Sequence, residues 1–446
     1  MMASVTRTPP AGNVPPPEAP RPAAPAAGPG GSPGASGPRG PGGARRGGRA
    51  GHFGAFRLQQ LVLFEIAAAL LLCAWVVDPL LLAPAVVVAG ALVLLAVVRR
   101  RRRSLPVWLL TVLALRARTR RAASAVLPAG TEPGFAPAVE CEPALRTYSF
   151  RDRDRRPVGM IGDGTYLTAV LRIDSDTTAL RPDRSVRPLP LVLVKNALDV
   201  DGIRLESAQI VQHTQPAPAP HLSERSVAAR NYAPLQARTG SPAVRITWIA
   251  LKLDPELCPE AVRARGGGLT GAQKCLVRTV DQLSSRLTGA GFGVTVLTEQ
   301  ELHSAIATSV GAGPEAVARA GRSGTPVRRT AETSRTWRCD DRLHTTYRVR
   351  RWPQFGAGGA PMLQLVALLT SVPASATTFS LTLGHADRQE IPITGHIRIT
   401  GCGEEELIAA RTELERTARG VKTSLVRLDR EQLPGVLATL PLGGTR

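Results

Sequence analysis

Lysine is nearly absent: Lys195, Lys252, Lys274 and Lys422 stand beside 52 arginines in 446 residues. Together with much Ala, Gly and Pro, this is the signature of a GC-rich coding sequence, which weakens any functional reading of single arginines. Aromatic residues make up only 4%. Nucleic-acid surfaces interleave basic side chains with stacking aromatics, so the net charge of +21 does not by itself point to nucleic acid. Short cysteine spacings are missing too. Cys73, Cys141, Cys258, Cys275, Cys339 and Cys402 are scattered with no CxxC, which disfavours zinc and dithiol motifs and fits reduced, packed thiols. No Gly-Lys-Ser/Thr phosphate loop occurs: Gly266–Gly268 leads instead to Leu-Thr-Gly-Ala-Gln-Lys274, read as a flexible loop with Thr270 as helix N-cap. The apolar run ending at Cys73 is no cleaved lipoprotein signal, since Leu72 precedes the cysteine and the run starts late.

The charge is unevenly placed. Residues 1–121 hold 16 arginines against Glu18, Glu65 and Asp78, a net +13, and the rest of the chain carries +8. Residues 1–52 form a Pro/Gly/Arg-rich tail without apolar periodicity, expected to be disordered. Residues 53–103 read as a membrane hairpin with spans at about 58–77 and 79–98, turned at Asp78-Pro79. Arginines flank both ends, so the positive-inside rule predicts a multi-pass plasma-membrane protein with both termini cytoplasmic. Arg99, Arg100, Arg101, Arg102 and Arg103 then fit anionic lipid headgroups. Glu65, inside the first span, invites a functional reading. Its nearness to the cytoplasmic edge and to Arg57 favours a snorkelling, structural one. Residues 104–139 are a juxtamembrane amphipathic segment and linker, with Trp108 expected among the headgroups.

Beyond residue 140 short strands alternate with amphipathic helices, an α/β (α+β) pattern. Residues 140–312 and 330–446 repeat one order, β-α-β-β-α-β plus a terminal helix, the split-βαβ order of ferredoxin-like domains. Leu297–Thr308 aligns without gaps to Leu428–Thr439, and a duplication is inferred. The expected fold class is thus a two-span helical anchor plus a cytoplasmic α/β domain built from a duplicated ferredoxin-like unit.

Chemistry is sparse. Cys339, Asp340, Asp341 and His344 are the densest set of potential metal ligands, but their spacing fits no zinc or di-metal pattern. His385 and His396 flank a turn and are candidates to meet across paired strands. No Ser or Cys sits in a nucleophile elbow, and Asp152–Arg156 reads as a solvated turn. No catalytic, cofactor-binding or metal residue is assigned.

The phrases FRLQQLVLFEIAAALLLCAWVVDPLLL, RPVGMIGDGTYLTAVLRI, DVDGIRLESAQIVQHT, HTTYRVRRWP and LLTSVPASATTFSLTL together resemble the actinobacterial type VII (ESX) secretion family EccE. The resemblance covers nearly everything from Phe53 onward. It implies a non-catalytic membrane subunit at the periphery of a hetero-oligomeric complex with EccB-, EccC- and EccD-like partners. A membrane-tethered enzyme of envelope metabolism, or a membrane-anchored nucleic-acid or lipid-binding regulator, is the competing reading.

Overall fold

Strands buried on both faces read as continuous apolar and β-branched runs rather than alternating ones. Ala376–Gly384 (ATTFSLTLG) is such a run, buried almost throughout. The computed structural model describes residues 50–78, 82–97, 99–100, 103–128, 130–152, 154–174, 188–215, 227, 244–322, 327–353, 362–385 and 392–444. The tail expected over residues 1–52 lies almost wholly outside them, as do Arg101 and Arg102.

Three helices open the described chain: α1 (Ala50–Val77), α2 (Leu82–Val97) and α3 (Leu105–Ser124), with the two-residue strands β1 (Arg99–Arg100) and β2 (Arg103–Ser104) paired before α3. After α4 (Ala136–Cys141) come β3 (Arg146–Arg151), β4 (Pro157–Gly162) and β5 (Leu167–Asp174). Helix α5 (Leu191–Asn196), the small hairpin β6 (Asp199–Val200) and β7 (Ile203–Arg204), then β8 (Ser207–Gln215) and β9 (Val244–Leu253) follow. Next are α6 (Pro259–Ala264), α7 (Gly268–Gly289), β10 (Gly293–Val296), α8 (Glu299–Val310) and α9 (Pro314–Arg322). The chain continues through β11 (Thr330–Glu332), β12 (Trp337–Cys339), β13 (Arg342–Arg351), α10 (Met362–Thr370), β14 (Ala376–Gly384) and β15 (Ile393–Gly401). It ends with α11 (Glu404–Gly420), β16 (Ser424–Arg427) and α12 (Gln432–Leu437).

The two-span anchor expected from residues 58–98 is corrected here. Among the described residues no helix is long and apolar enough to cross a membrane. Helix α2 has 16 residues, a rise of about 24 Å against a hydrocarbon core of about 30 Å. Helix α1 is longer, but Arg57, Gln59 and Gln60 lie in its first half and Glu65 interrupts the apolar remainder. The multi-pass placement loses its basis with it. The two helices instead pair through Ala67, Ala74, Ala85 and Ala89, whose small side chains let the backbones approach, and leave Leu72, Trp75 and Val87 exposed. Glu65 is exposed on α1.

Among the described residues beyond α4, apart from the β6–β7 hairpin, the strands form one antiparallel sheet of 12, to which residues on both sides of position 320 contribute. Strands β10–β5–β9–β8 lie side by side in that order, and β16–β13–β15–β14 repeat it. In each set the fourth strand flanks the first, and the third separates first from second. The sets join edge to edge through β8 and β14, where Val211 lies opposite Ser380. An approximate two-fold axis through that pair relates them. Matching bonds fix the equivalence: the Leu297 N–H donates to the Val170 carbonyl at 3.0 Å, and the Leu428 N–H to the Thr346 carbonyl at 3.0 Å.

One face of the sheet packs Ile249, Leu251, Phe379, Ile397 and Ile399 against α7, α10 and α11 in one apolar core. The other face packs Val170, Val211 and Trp248 against α4, α8, α12 and the chain end in a second. Helix α8 is fixed at both ends, by a capping box between Thr298 and Glu301 and by Gly311 in the left-handed region at its C-cap, each closing backbone groups the helix leaves unpaired. Gly159 is required by close approach: a Cβ there would lie 2.5 Å from the Glu299 backbone nitrogen.

Candidate functional site

Alternate residues of a strand share a face, so the register determines what meets on the second face. Thr346, Arg398, Thr378 and His213 occupy successive strands β13, β15, β14 and β8 in one row. All four are buried. Arg398 Nη2 donates to the Ser309 carbonyl and lies 3.4 Å from Thr378 Oγ1, while Nε and Nη1 have no partner among the described residues. Removing a guanidinium from water disfavours its charge, and burial pushes Arg398 down to about 10. His213 Nδ1 lies 2.9 Å from Thr378 Oγ1. Burial, and then the Arg398 charge, press its imidazole down to about 3. Gln209 completes the layer: its amide donates to Ser380 Oγ at 2.8 Å and to the Ala438 carbonyl at 2.9 Å, and its oxygen accepts from the Gly443 N–H at 2.8 Å. The chain end is thereby tied across the two-fold axis.

The Cys339–His344 group takes structural positions. Asp340, at φ +52° in the turn between β12 and β13, accepts from Arg329 Nε at 2.8 Å and Nη2 at 2.7 Å, and from the Gly313 N–H at 3.0 Å. Cys339 is buried, and burial raises its thiol well above the usual range. Asp341 points to solvent. His344 is fully buried, with Nδ1 2.9 Å from Thr400 Oγ1 and its ring 5.0 Å from that of Trp337. Burial first, then Arg398, holds its pKa well below the ordinary value. Among the described residues no group of three or more His, Cys, Asp or Glu is disposed to hold a metal ion.

His385 and His396 are not brought together. His396 pairs across strands with Ser380 and Arg348, and burial, then Arg348, lowers it to about 4. His385 lies five residues beyond Ser380, about 17 Å along the strand direction. Helix α7 starts from Gly267 rather than Thr270 as its N-cap, through three glycines at positive φ; glycine supplies there what a side-chain cap would not. In the Asp152–Arg156 turn, Arg156 pairs with Asp281. Trp108 does not face outward either, since the Arg430 guanidinium covers its ring at 5.3 Å.

Two groups escaped the sequence reading. Arg398 sits in HIRIT, whose alternation marks a strand and assigns His396, Arg398 and Thr400 to the solvent side. A cluster around Cys402 joins Arg342 Nη1 at 2.9 Å and Ser375 Oγ at 3.2 Å to the sulfur, and nothing in the local sequence signals contacts 60 and 27 residues away.

Residues 241–349 match the family model "Putative type VII ESX secretion system translocon, EccE". That match supports the EccE resemblance. The EccE-like segment runs from β9 to β13 and so contains the whole connection between the two repeated units. No curated protein matches the chain.

Proposed function

We propose that the chain is a non-catalytic subunit of a type VII ESX secretion translocon, bracing the assembly at its periphery by protein contacts. The EccE match over residues 241–349 carries this reading. It is supported by how the chemistry-bearing side chains are used: Asp340 clamps Arg329, His344 packs against Trp337, and His213 bonds Thr378. A sheet of 12 strands with a core on each face suits a rigid brace. EccB-, EccC- and EccD-like subunits are the expected partners, and a position at the cell membrane then follows from the assembly as a whole.

Tagged full-length protein, extracted in mild detergent, should bring those subunits with it. Exchanging residues 58–98 for an unrelated hairpin should weaken the association, because it removes the exposed apolar side chains of Leu72, Trp75 and Val87. Deleting residues 1–49 should not. Recovery of the protein alone under several extraction conditions, with secretion unchanged by its deletion, would overturn the assignment.

A further inference from the structure

Among the described residues, helix α3 is held to the sheet domain along one side. Arg118 donates to both carboxylate oxygens of Glu332 at 2.9 Å and to the Arg430 carbonyl at 2.6 Å. Arg430 in turn covers Trp108 at 5.3 Å, and Arg328 donates to the Ala122 carbonyl. At 100° per residue, Trp108, Thr111, Leu115, Arg118 and Ala122 form this inward stripe.

The opposite stripe is chemically ordered along the axis. Leu109, Leu110 and Leu113 come first, exposed at 41%, 64% and 57%. Arg116, Arg120 and Arg121 follow, all exposed and none in an ion pair among the described residues. Leu113 and Arg116 are about 4.5 Å apart along the axis, and Arg120 lies a further 6 Å on. An apolar end that passes within one turn into a cationic end matches the boundary between acyl chains and phosphates. Helix α2 contacts α3 and exposes Val86, Val87 and Val88, so further apolar surface adjoins the helix. A protein partner would need an apolar groove and an acidic rim arranged in the same order, whereas a bilayer containing anionic lipid presents that order everywhere.

We propose that the outer face of α3 seats the sheet domain on the surface of an anionic lipid bilayer, with Leu109, Leu110 and Leu113 dipped into the acyl boundary and Arg116, Arg120 and Arg121 at the phosphates. The Arg118–Glu332 clamp transmits that orientation to the sheet. The inference needs no translocon partner and no span, and it places the lipid contact on α3 rather than on Arg99–Arg103.

The test uses purified full-length protein and flotation with phosphatidylcholine vesicles, with and without phosphatidylglycerol. Wild type should favour the anionic vesicles, and the preference should shrink at high salt. Replacing Arg116, Arg120 and Arg121 together by Gln should weaken binding to anionic vesicles about a hundredfold, from the usual gain per basic residue near such a surface. Binding to neutral vesicles should hardly change. Leu110→Ser with Leu113→Ser should weaken both. These side chains lie outside the domain contacts, so unchanged thermal unfolding verifies that each variant is folded. Equal binding of wild type to both vesicles, or a triple variant that binds anionic vesicles like wild type, overturns the proposal. Such a failure leaves the co-purification result untouched, since no partner subunit is present.

Discussion

Around Ala250 the second face of the sheet is mostly apolar, with Val170, Val211 and Trp248 packed on Leu302 and Ile306 and Gln209 as the polar cross-strand neighbour. Around Arg398 the equivalent ground is polar. The matching bonds of Leu297 and Leu428 make Val170 the counterpart of Thr346, and their cross-strand partners are Ala250 and Arg398. By the same register Trp248, paired with Arg172, corresponds to His396, paired with Arg348. The repeated backbone is therefore indifferent to what fills this layer, provided the first face keeps its aliphatic core. What differs is cost. A buried amide or hydroxyl without its hydrogen bonds costs about 1–3 kcal/mol, and an unpaired charge more. The second unit tolerates Arg398 because the Ser309 carbonyl and Thr378 are in reach.

The sharpest way to break that comparison is to move the arginine. Ala250→Arg would bury a charge beside Gln209, whose side-chain oxygen already accepts from the Gly443 N–H, and should destabilise by more than about 4 kcal/mol, enough to abolish soluble, cooperative unfolding. The reverse change, Arg398→Met, should be neutral or stabilising by about 1–3 kcal/mol in denaturant unfolding, as for other buried charges replaced by apolar groups of similar volume. A large loss on Arg398→Met would show that the guanidinium is a needed part of the second unit.

Next in size is the buried ion pair of the second unit. Arg329 and Asp340 side chains are 8% and 7% exposed, so Asp340→Ala would strand a buried guanidinium and should cost about 3–5 kcal/mol. The first unit has a pair at Arg278 and Asp201, 57% and 47% exposed, and Asp201→Ala should cost less than about 1 kcal/mol there. Similar losses at both sites would mean that burial does not set the difference.

Much of this was legible in the sequence. The strand at 244–253 and the helices at 268–289, 299–310 and 404–420 follow from apolar periodicity and from Thr298 with Glu301 as a helix start. The apolar hairpin region misled, because composition alone does not register that α2 ends after 16 residues or that Arg57, Gln59 and Gln60 fall within α1. The polar layer was not legible for another reason. Alternation in HIRIT says which residues share a face, not whether that face is covered, and the cover comes from Ser309 and from α12, 89 residues before and some 35 after. The spacing of Cys339, Asp340, Asp341 and His344 likewise could not reveal that Arg329 and Trp337 engage two of them.

The histidines give an effect of intermediate size that responds to pH. His213 and His396 have folded pKa values lowered to about 3 and about 4, below an unfolded value near 6.5. Between those limits the unfolded chain binds more protons, so stability rises with pH. Their contribution is complete above about pH 6.5 and is lost as pH falls towards the folded values, amounting to roughly 2 kcal/mol per histidine at pH 5. Unfolding followed from pH 7 to pH 5 should show this slope, and His396→Gln should remove about half of the part due to these two groups. An unchanged slope in that variant would place the sensitivity elsewhere.

The smallest effect compares the two aligned helix starts. Thr298 Oγ1 accepts from the Glu301 N–H at 3.3 Å, and Glu301 Oε2 accepts from the Thr298 N–H at 2.9 Å, a reciprocal capping box before α8. Asp429 stands at the matching position before α12, but its carboxylate turns to Arg427, with Oδ2 3.0 Å from Nη2, and α12 starts later, from Glu431, without a side-chain cap. The same residue pattern thus performs two jobs. Thr298→Ala should cost about 1 kcal/mol, the usual loss for a removed N-cap. Asp429→Ala should cost about half that, since it breaks only a partly exposed ion pair. Thermal unfolding of both variants at one pH measures the difference. Should Asp429→Ala prove the more damaging of the two, the Arg427 contact would be the stronger tie, and the alignment of Leu297–Thr308 with Leu428–Thr439 would reflect shared position in the fold without shared capping chemistry.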